Sequence, residues 1–220
     1  MARLRVGVLI SGRGSNLAAL IAAAADPSYP AEIVLVVSNR DGAAGLARAA
    51  EAAIPRRAIT EATRAGFAAL ADAALQEAGV ELVALAGFMR ILDTGFVEAW
   101  RDRLVNIHPS LLPAFPGLHP QRQALAAGVR FSGCTVHFVR PEVDTGPIIA
   151  QAAVPVFPGD NEARLAERIL AAEHRLYPLA VRLYAEGRLT IRGNTVEVAG
   201  LLPADAALFN PSTALASAGG

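Results

Sequence analysis

The 220-residue chain balances 20 Lys+Arg against 20 Asp+Glu and is 53% hydrophobic, much of it alanine, and its length suffices for one large α/β domain or two small ones. Zero net charge argues against a broad nucleic-acid footprint or an acidic-lipid patch, and no run approaches the about 20 apolar residues of a membrane span. The lone Cys134 excludes an internal disulfide and a cysteine-based zinc site, and the apolar run ending at Ile10 is too short for a signal-peptide core, so a soluble cytoplasmic protein is expected.

Residues 6–10 read as a buried parallel strand. They run into Ser11-Gly12-Arg13-Gly14-Ser15-Asn16, and a helix begins at Leu17. A strand, a glycine turn and a helix N-terminus together attract an anion through free amides and the helix dipole. The turn has no Gly-Lys-Ser/Thr and only half of a Gly-x-Gly-x-x-Gly fingerprint, which suits a monophosphate better than a pyrophosphate. A plain tight turn with Ser15 or Asn16 as N-cap fits the same residues.

A second strand is expected over 33–38, a helix through Leu46 and Ala53, a short strand near 58–60, a helix over 64–78 and a buried strand over 82–86. This alternation implies a doubly wound, mostly parallel sheet. The loop Gly87-Phe88-Met89-Arg90-Ile91-Leu92 is unusually apolar for a surface connection. It can wall a flat aromatic ligand or pack beneath itself as a satellite core. Asp93 caps a short helix through Trp100.

The next strand, from Leu104, ends in Asn106-Ile107-His108-Pro109-Ser110-Leu111-Leu112-Pro113. Side chains two apart on a strand project together, so an amide and an imidazole that can carry a proton near neutral pH stand side by side. We place them at the C-terminal lip of the strand, where open α/β sheets hold ligands. Three prolines and a glycine in 113–120 forbid regular structure and mark a candidate lid.

A short helix over 122–127 precedes an alternating strand over 131–139. Cys134, Val136 and Phe138 share one face of it, and His137 takes the other, with a structural role expected. Asp144, in the following turn, can aim a carboxylate at His108 and favour its charged form, or form an Asx turn before Gly146. A long strand over 148–156 is antiparallel to its neighbour. The last helix carries an apolar stripe of Leu165, Ile169, Ala172, Leu176, Leu179 and Leu183, with Glu173 and His174 as solvated shoulders and Pro178 as a kink. A hairpin turning at Gly193-Asn194 follows. One domain over 1–200 and a flexible tail over 201–220 complete the expectation.

Taken together, the 106–113 segment, Pro116-Gly117-Leu118-His119, the 133–139 strand, Asp144-x-Gly146, the glycine turn at 10–16 and the 85–92 loop resemble the folate-dependent formyltransferases, within them the phosphoribosylglycinamide formyltransferase family. The resemblance spans roughly residues 5 to 200 in order and is far more specific than any single piece. It implies a Rossmann-like α/β fold of about seven strands with an antiparallel C-terminal part. The N-terminal half would bind nucleotide phosphate, and the C-terminal half would bind folate and carry catalysis. The implied reaction moves a formyl group from 10-formyltetrahydrofolate to glycinamide ribonucleotide in purine biosynthesis, with no metal, no ATP, no nucleic acid and no membrane, by a monomer or homodimer.

The resemblance assigns catalysis to Asn106, His108 and Asp144, the last acting directly or through an ordered water. It gives the phosphate to Gly14, Ser15 and Asn16 and the ribose to Glu173. Met89, Arg90, Ile91 and Leu92 would line the folate pocket with Arg140 and Val143, and Arg64 and Arg90 would meet the folate carboxylates. Pro120, Gln121, Ser132 and Leu170 depart from the family pattern. A formyltetrahydrofolate hydrolase would carry an additional N-terminal regulatory domain, and a methionyl-tRNA formyltransferase an additional C-terminal nucleic-acid-binding domain; neither is expected here. A non-catalytic folate or nucleotide-binding module would not need Asn106, His108 and Asp144 together.

Overall fold

Valine, leucine and isoleucine fill the runs between the turns, and most of those runs become strands covered on both faces. In the computed structural model, which describes residues 2–200 together with Leu208 and Asn210, seven strands form one sheet. They are β1 (Leu4–Ile10), β2 (Ala31–Ser38), β3 (Arg56–Ala58), β4 (Leu82–Leu85), β5 (Leu104–His108), β6 (Phe131–Phe138) and β7 (Ile148–Pro155). Their order is β3-β2-β1-β4-β5-β6-β7. The first five pair in parallel, and β6 and β7 are antiparallel to their neighbours. The helices are α1 (Ser15–Ala24), α2 (Ala44–Glu51), α3 (Arg64–Glu77), α4 (Thr94–Ala99), α5 (Pro120–Ala126) and α6 (Glu162–Ala185). A separate hairpin pairs β8 (Leu189–Arg192) with β9 (Thr195–Val198). The expected sheet and its antiparallel C-terminal part are therefore present. The expected flexible tail lies outside the described residues, apart from Leu208 and Asn210.

Alternation along the strands divides the core in two. Val8 and Ile10 join Leu17, Leu165, Ile169 and Tyr177 under α1 and α6. Leu9 and Val37 join Phe67, Leu75 and Trp100 under α3 and α4. Chain order reverses between β1 and β4, so the crevice beyond their C-terminal ends is the topological switch point where such sheets receive ligands.

Three expectations shift. The third strand starts at Arg56 rather than near Ala58. Its three residues are exposed and carry no apolar signal, and its register comes from the main chain, through Val36 N–H to the Pro55 carbonyl and Ile59 N–H to the Ser38 carbonyl. Helix α5 starts at Pro120, because a proline lacks the N–H that the first helical position does not need. In α6 the chain passes Pro178 within one 24-residue helix. There Leu179 is exposed, because Leu176, Tyr177, Ala180 and Leu183 define the buried stripe and Leu179 falls off it.

Candidate active site

Residues opposite one another in an antiparallel pair point to the same face. Asn106 pairs with His137 and His108 with Thr135, so β5 and β6 lay four polar side chains in one patch. Val105, Ile107, Cys134, Val136 and Phe138 occupy the other face, under α6. Asn106 and His108 therefore share one face at the C-terminal end of β5, of which His108 is the last residue. The loop after β5 and the turn after β6 fold over them, through the contacts that follow.

The turn after β6 starts at the N-terminal end of β5, where the Arg140 guanidinium donates to Asp102 at 2.6 Å. It then folds back and carries Asp144 up the face. The Asp144 Oδ2 oxygen lies 3.3 Å from His108 Nδ1 and accepts the Gly117 amide at 2.8 Å, while Oδ1 lies 3.6 Å from His137 Nε2. Gly146 allows this fold-back, since a Cβ there would run into the Phe138 carbonyl. Burial pushes the Asp144 carboxyl upward, but the His137 hydrogen bond, the Gly117 amide and the charge of His108 outweigh it and leave its pKa below the ordinary value.

On the other side of the ring, His108 Nε2 donates to the Phe115 carbonyl at 3.0 Å. Both ring nitrogens therefore face acceptors, and both contacts are satisfied when the ring carries two protons. His137 Nδ1 donates to the Phe138 carbonyl at 2.9 Å. Its Nε2, 3.3 Å from Asn106 Nδ2, accepts from that amide when the ring is neutral or donates to Asp144 when it is charged. His137 is thus part of the cluster, where its contacts hold Asn106 and Asp144 in place. The alternation along the strand places it opposite Cys134. Only the pairing with β5 brings it to Asn106.

The glycine turn after β1 meets the expectation of an open helix end. Gly14, at φ +68°, is the N-cap of α1 with no side-chain cap, so neither Ser15 nor Asn16 plays that part. Gly14 lies so close to Gly45 of α2 that a Cβ would clash with its backbone. The Asn16 amide instead donates to Glu173 Oε2 at 2.8 Å, tying the first turn of α1 to α6. Glu173 is buried rather than a solvated shoulder, and burial raises its pKa against the smaller opposing effect of Asn16. Leu170, one turn before His174, is half-buried on the same helix.

The loop after β4 adjoins both regions. Ser11 N–H donates to the Gly87 carbonyl at 3.2 Å, and Met89 N–H donates to Ser11 Oγ at 2.8 Å. Phe88 and Leu92 pack down on the α3–α4 core, as a satellite core would, while Met89 and Ile91 stay exposed. Val143 and Leu118 are exposed as well. Three loops thus leave apolar side chains in solvent. Arg90 does not point outward: it donates to the carbonyls of Glu61 and Ala62 and lies over the Phe67 ring. Arg64 opens α3 and is exposed. Among the departures from the family pattern, Pro120 starts a helix and Ser132 is buried with its hydroxyl unpartnered among the described residues. Among those residues no group of three or more His, Cys, Asp or Glu side chains could hold a metal ion.

Residues 4–181 match the family model described as formyl transferase. The chain is 56% identical over 192 residues to the trifunctional purine biosynthetic protein adenosine-3 of Drosophila pseudoobscura, an alignment that covers 85% of this chain but only 14% of that protein. It is 42% identical over 194 residues to the phosphoribosylglycinamide formyltransferase of Escherichia coli strain K12, covering 87% of this chain and 92% of that one. The fold superposes with a TM-score of 0.87 on glycinamide ribonucleotide transformylase 1 from Symbiobacterium toebii, at 50% identity, covering 89% of this chain and 94% of that one.

Proposed function

The chain belongs to the formyl transferase family, and from that premise we propose that it transfers the formyl group of 10-formyltetrahydrofolate to the amino group of glycinamide ribonucleotide. The products are N-formylglycinamide ribonucleotide and tetrahydrofolate. The observation that carries this reading is the convergence of Asn106, His108 and Asp144 on one patch, with His108 Nδ1 3.3 Å from Asp144.

The nucleotide amine attacks the formyl carbon, a C–N bond forms, and negative charge develops on the formyl oxygen. The Asn106 amide and the doubly protonated His108 supply donors to that oxygen. His108 gives one of its two protons to the departing folate nitrogen as that nitrogen's bond to the formyl carbon breaks, and the proton leaving the amine restores the ring. Asp144 holds the ring and balances its charge. For His108 Nε2 to serve, the Phe115 carbonyl must withdraw, which makes the 113–119 loop the gate of the site.

Gly14, Ser15 and Asn16 take the nucleotide phosphate on the uncapped end of α1, and Glu173 accepts from the ribose hydroxyls. Met89, Ile91, Leu92 and Val143 line the folate site, largely through main-chain groups at Arg90 and Leu92. Arg140 braces its turn, and Arg64 is the guanidinium left for the folate carboxylates. The donor arrives already activated, so neither ATP nor a metal enters the reaction. No helix among the described residues is long and apolar enough to cross a membrane, and a cytoplasmic monomer or homodimer completes the reading.

The test is spectrophotometric, with 10-formyltetrahydrofolate in the presence and absence of glycinamide ribonucleotide. Folate deformylation only with the nucleotide, yielding formylated nucleotide, is the expected result. Formate release without the nucleotide would make the chain a hydrolase, and binding without reaction a folate-binding module. A second expectation concerns the phosphate: Ser15→Asp sets like charge against it and should raise the nucleotide KM about tenfold or more, since about 1.4 kcal/mol is tenfold in binding, with kcat little changed. An unchanged KM would move the phosphate elsewhere.

A further inference from the structure

One turn beyond Glu173, α6 carries a buried polar group that the chemistry above leaves unused. Tyr177 is 0% exposed, and its hydroxyl faces two acceptors, the Leu85 carbonyl at 3.0 Å and the Val105 carbonyl at 3.2 Å. A single O–H proton is shared between neighbouring strands. Burial lifts the phenol well above its ordinary pKa, so it stays a donor. A phenylalanine would fill nearly the same space. Carrying the hydroxyl into the core has a desolvation cost that only its hydrogen bonds offset.

The two acceptors lie where the site begins. Leu85 ends β4, and the chain leaves it through Ala86 and Gly87 into the loop that presents Met89 and Ile91. Val105 immediately precedes Asn106, and Asn106 is the residue in register with Leu85. The Gly87 carbonyl in turn receives the Ser11 amide from the phosphate turn. The helix that delivers Tyr177 is itself anchored, by Glu173 to Asn16 at 2.8 Å and by the Tyr29 hydroxyl to the Pro178 carbonyl at 2.7 Å.

We propose that Tyr177 is a positioning residue for formyl transfer: its shared hydroxyl bond sets the ends of β4 and β5 against each other, and so sets the reach from Asn106 to a group seated on the 88–92 loop. This rests on the formyl-transfer reading, and the experiment keeps the two apart. Wild type, Tyr177→Phe and Val181→Ala are assayed together, with thermal melts. Val181→Ala loosens the same helix from inside its buried stripe and has no part in the site.

Because sub-ångström misplacement of reacting groups costs rate steeply, Tyr177→Phe should lose about tenfold or more in kcat, while both KM values stay within about twofold. Val181→Ala should melt earlier and keep its kcat. If wild type transfers no formyl group, the functional reading itself fails. If wild type is active and Tyr177→Phe matches its kcat at a lower Tm, or loses only KM, or fails to fold, the hydroxyl serves the fold alone and this inference is overturned.

Discussion

His108→Ala should lose roughly 10²–10⁴-fold in kcat, the span that one positioned proton-transfer group contributes, while the protein still binds folate. The loss concentrates in kcat because, in the proposed mechanism, the imidazole has two duties that arise only as the reaction proceeds: meeting charge on the formyl oxygen and handing a proton to the leaving nitrogen. In the proposed reading, binding of the folate rests on other groups, the main chain of the 88–92 loop and Met89, Ile91 and Val143, which are exposed. The fold should survive. Asp144 keeps the Gly117 amide and the neighbouring His137 when the ring is gone, so its carboxylate is not stranded. Steady-state kinetics with both substrates, folate binding by fluorescence and a thermal melt decide the matter. A kcat near wild type would remove His108 from the chemistry, and a lost folate affinity would make it a binding residue instead.

The sheet was legible wherever burial is two-sided, because β1, β2 and β4 write their position as apolar runs. At β3 the strand was legible but displaced by two residues, because the exposed Arg56, Arg57 and Ala58 are held by main-chain bonds to β2 that no side chain announces. The same division runs through the candidate site. Asn106 and His108 are two apart on one strand, so their common face follows from local geometry. His137 joins them only through the register of β6 on β5, a contact between positions 31 apart (137 − 106). Glu173 looks like a helix shoulder in the sequence. It is buried instead, because α1 packs across it and brings Asn16 to its carboxylate. Arg90, which the resemblance gives to the folate carboxylates, has its donors on the carbonyls of Glu61 and Ala62, a contact that nothing in the 87–92 loop announces.

Asp144→Asn should lower kcat by about 10² or more, again within the range of a positioned acid–base partner, and should also loosen the loop over the site. The substitution keeps the shape and removes the charge. His108 then faces an uncharged group at Nδ1, so its doubly protonated form loses the partner that balances it. Gly117 N–H loses a charged acceptor, which is worth more than a neutral one, and the 113–119 loop is held less firmly. Stability should follow the carboxylate with a definite sign. The Asp144 pKa is lowered in the folded protein, through His137, Gly117 and His108 acting against burial. Its contribution is therefore fully present above the unfolded carboxyl pKa of about 3.9 and is lost as pH falls through the lower folded value. Thermal melts of wild type and Asp144→Asn should differ at neutral pH and converge as the medium is acidified below about pH 4. Equal melting at neutral pH, or a gap that persists in acid, would mean that the carboxylate is not held by these partners. A variant with undiminished kcat would leave His108 to act without it.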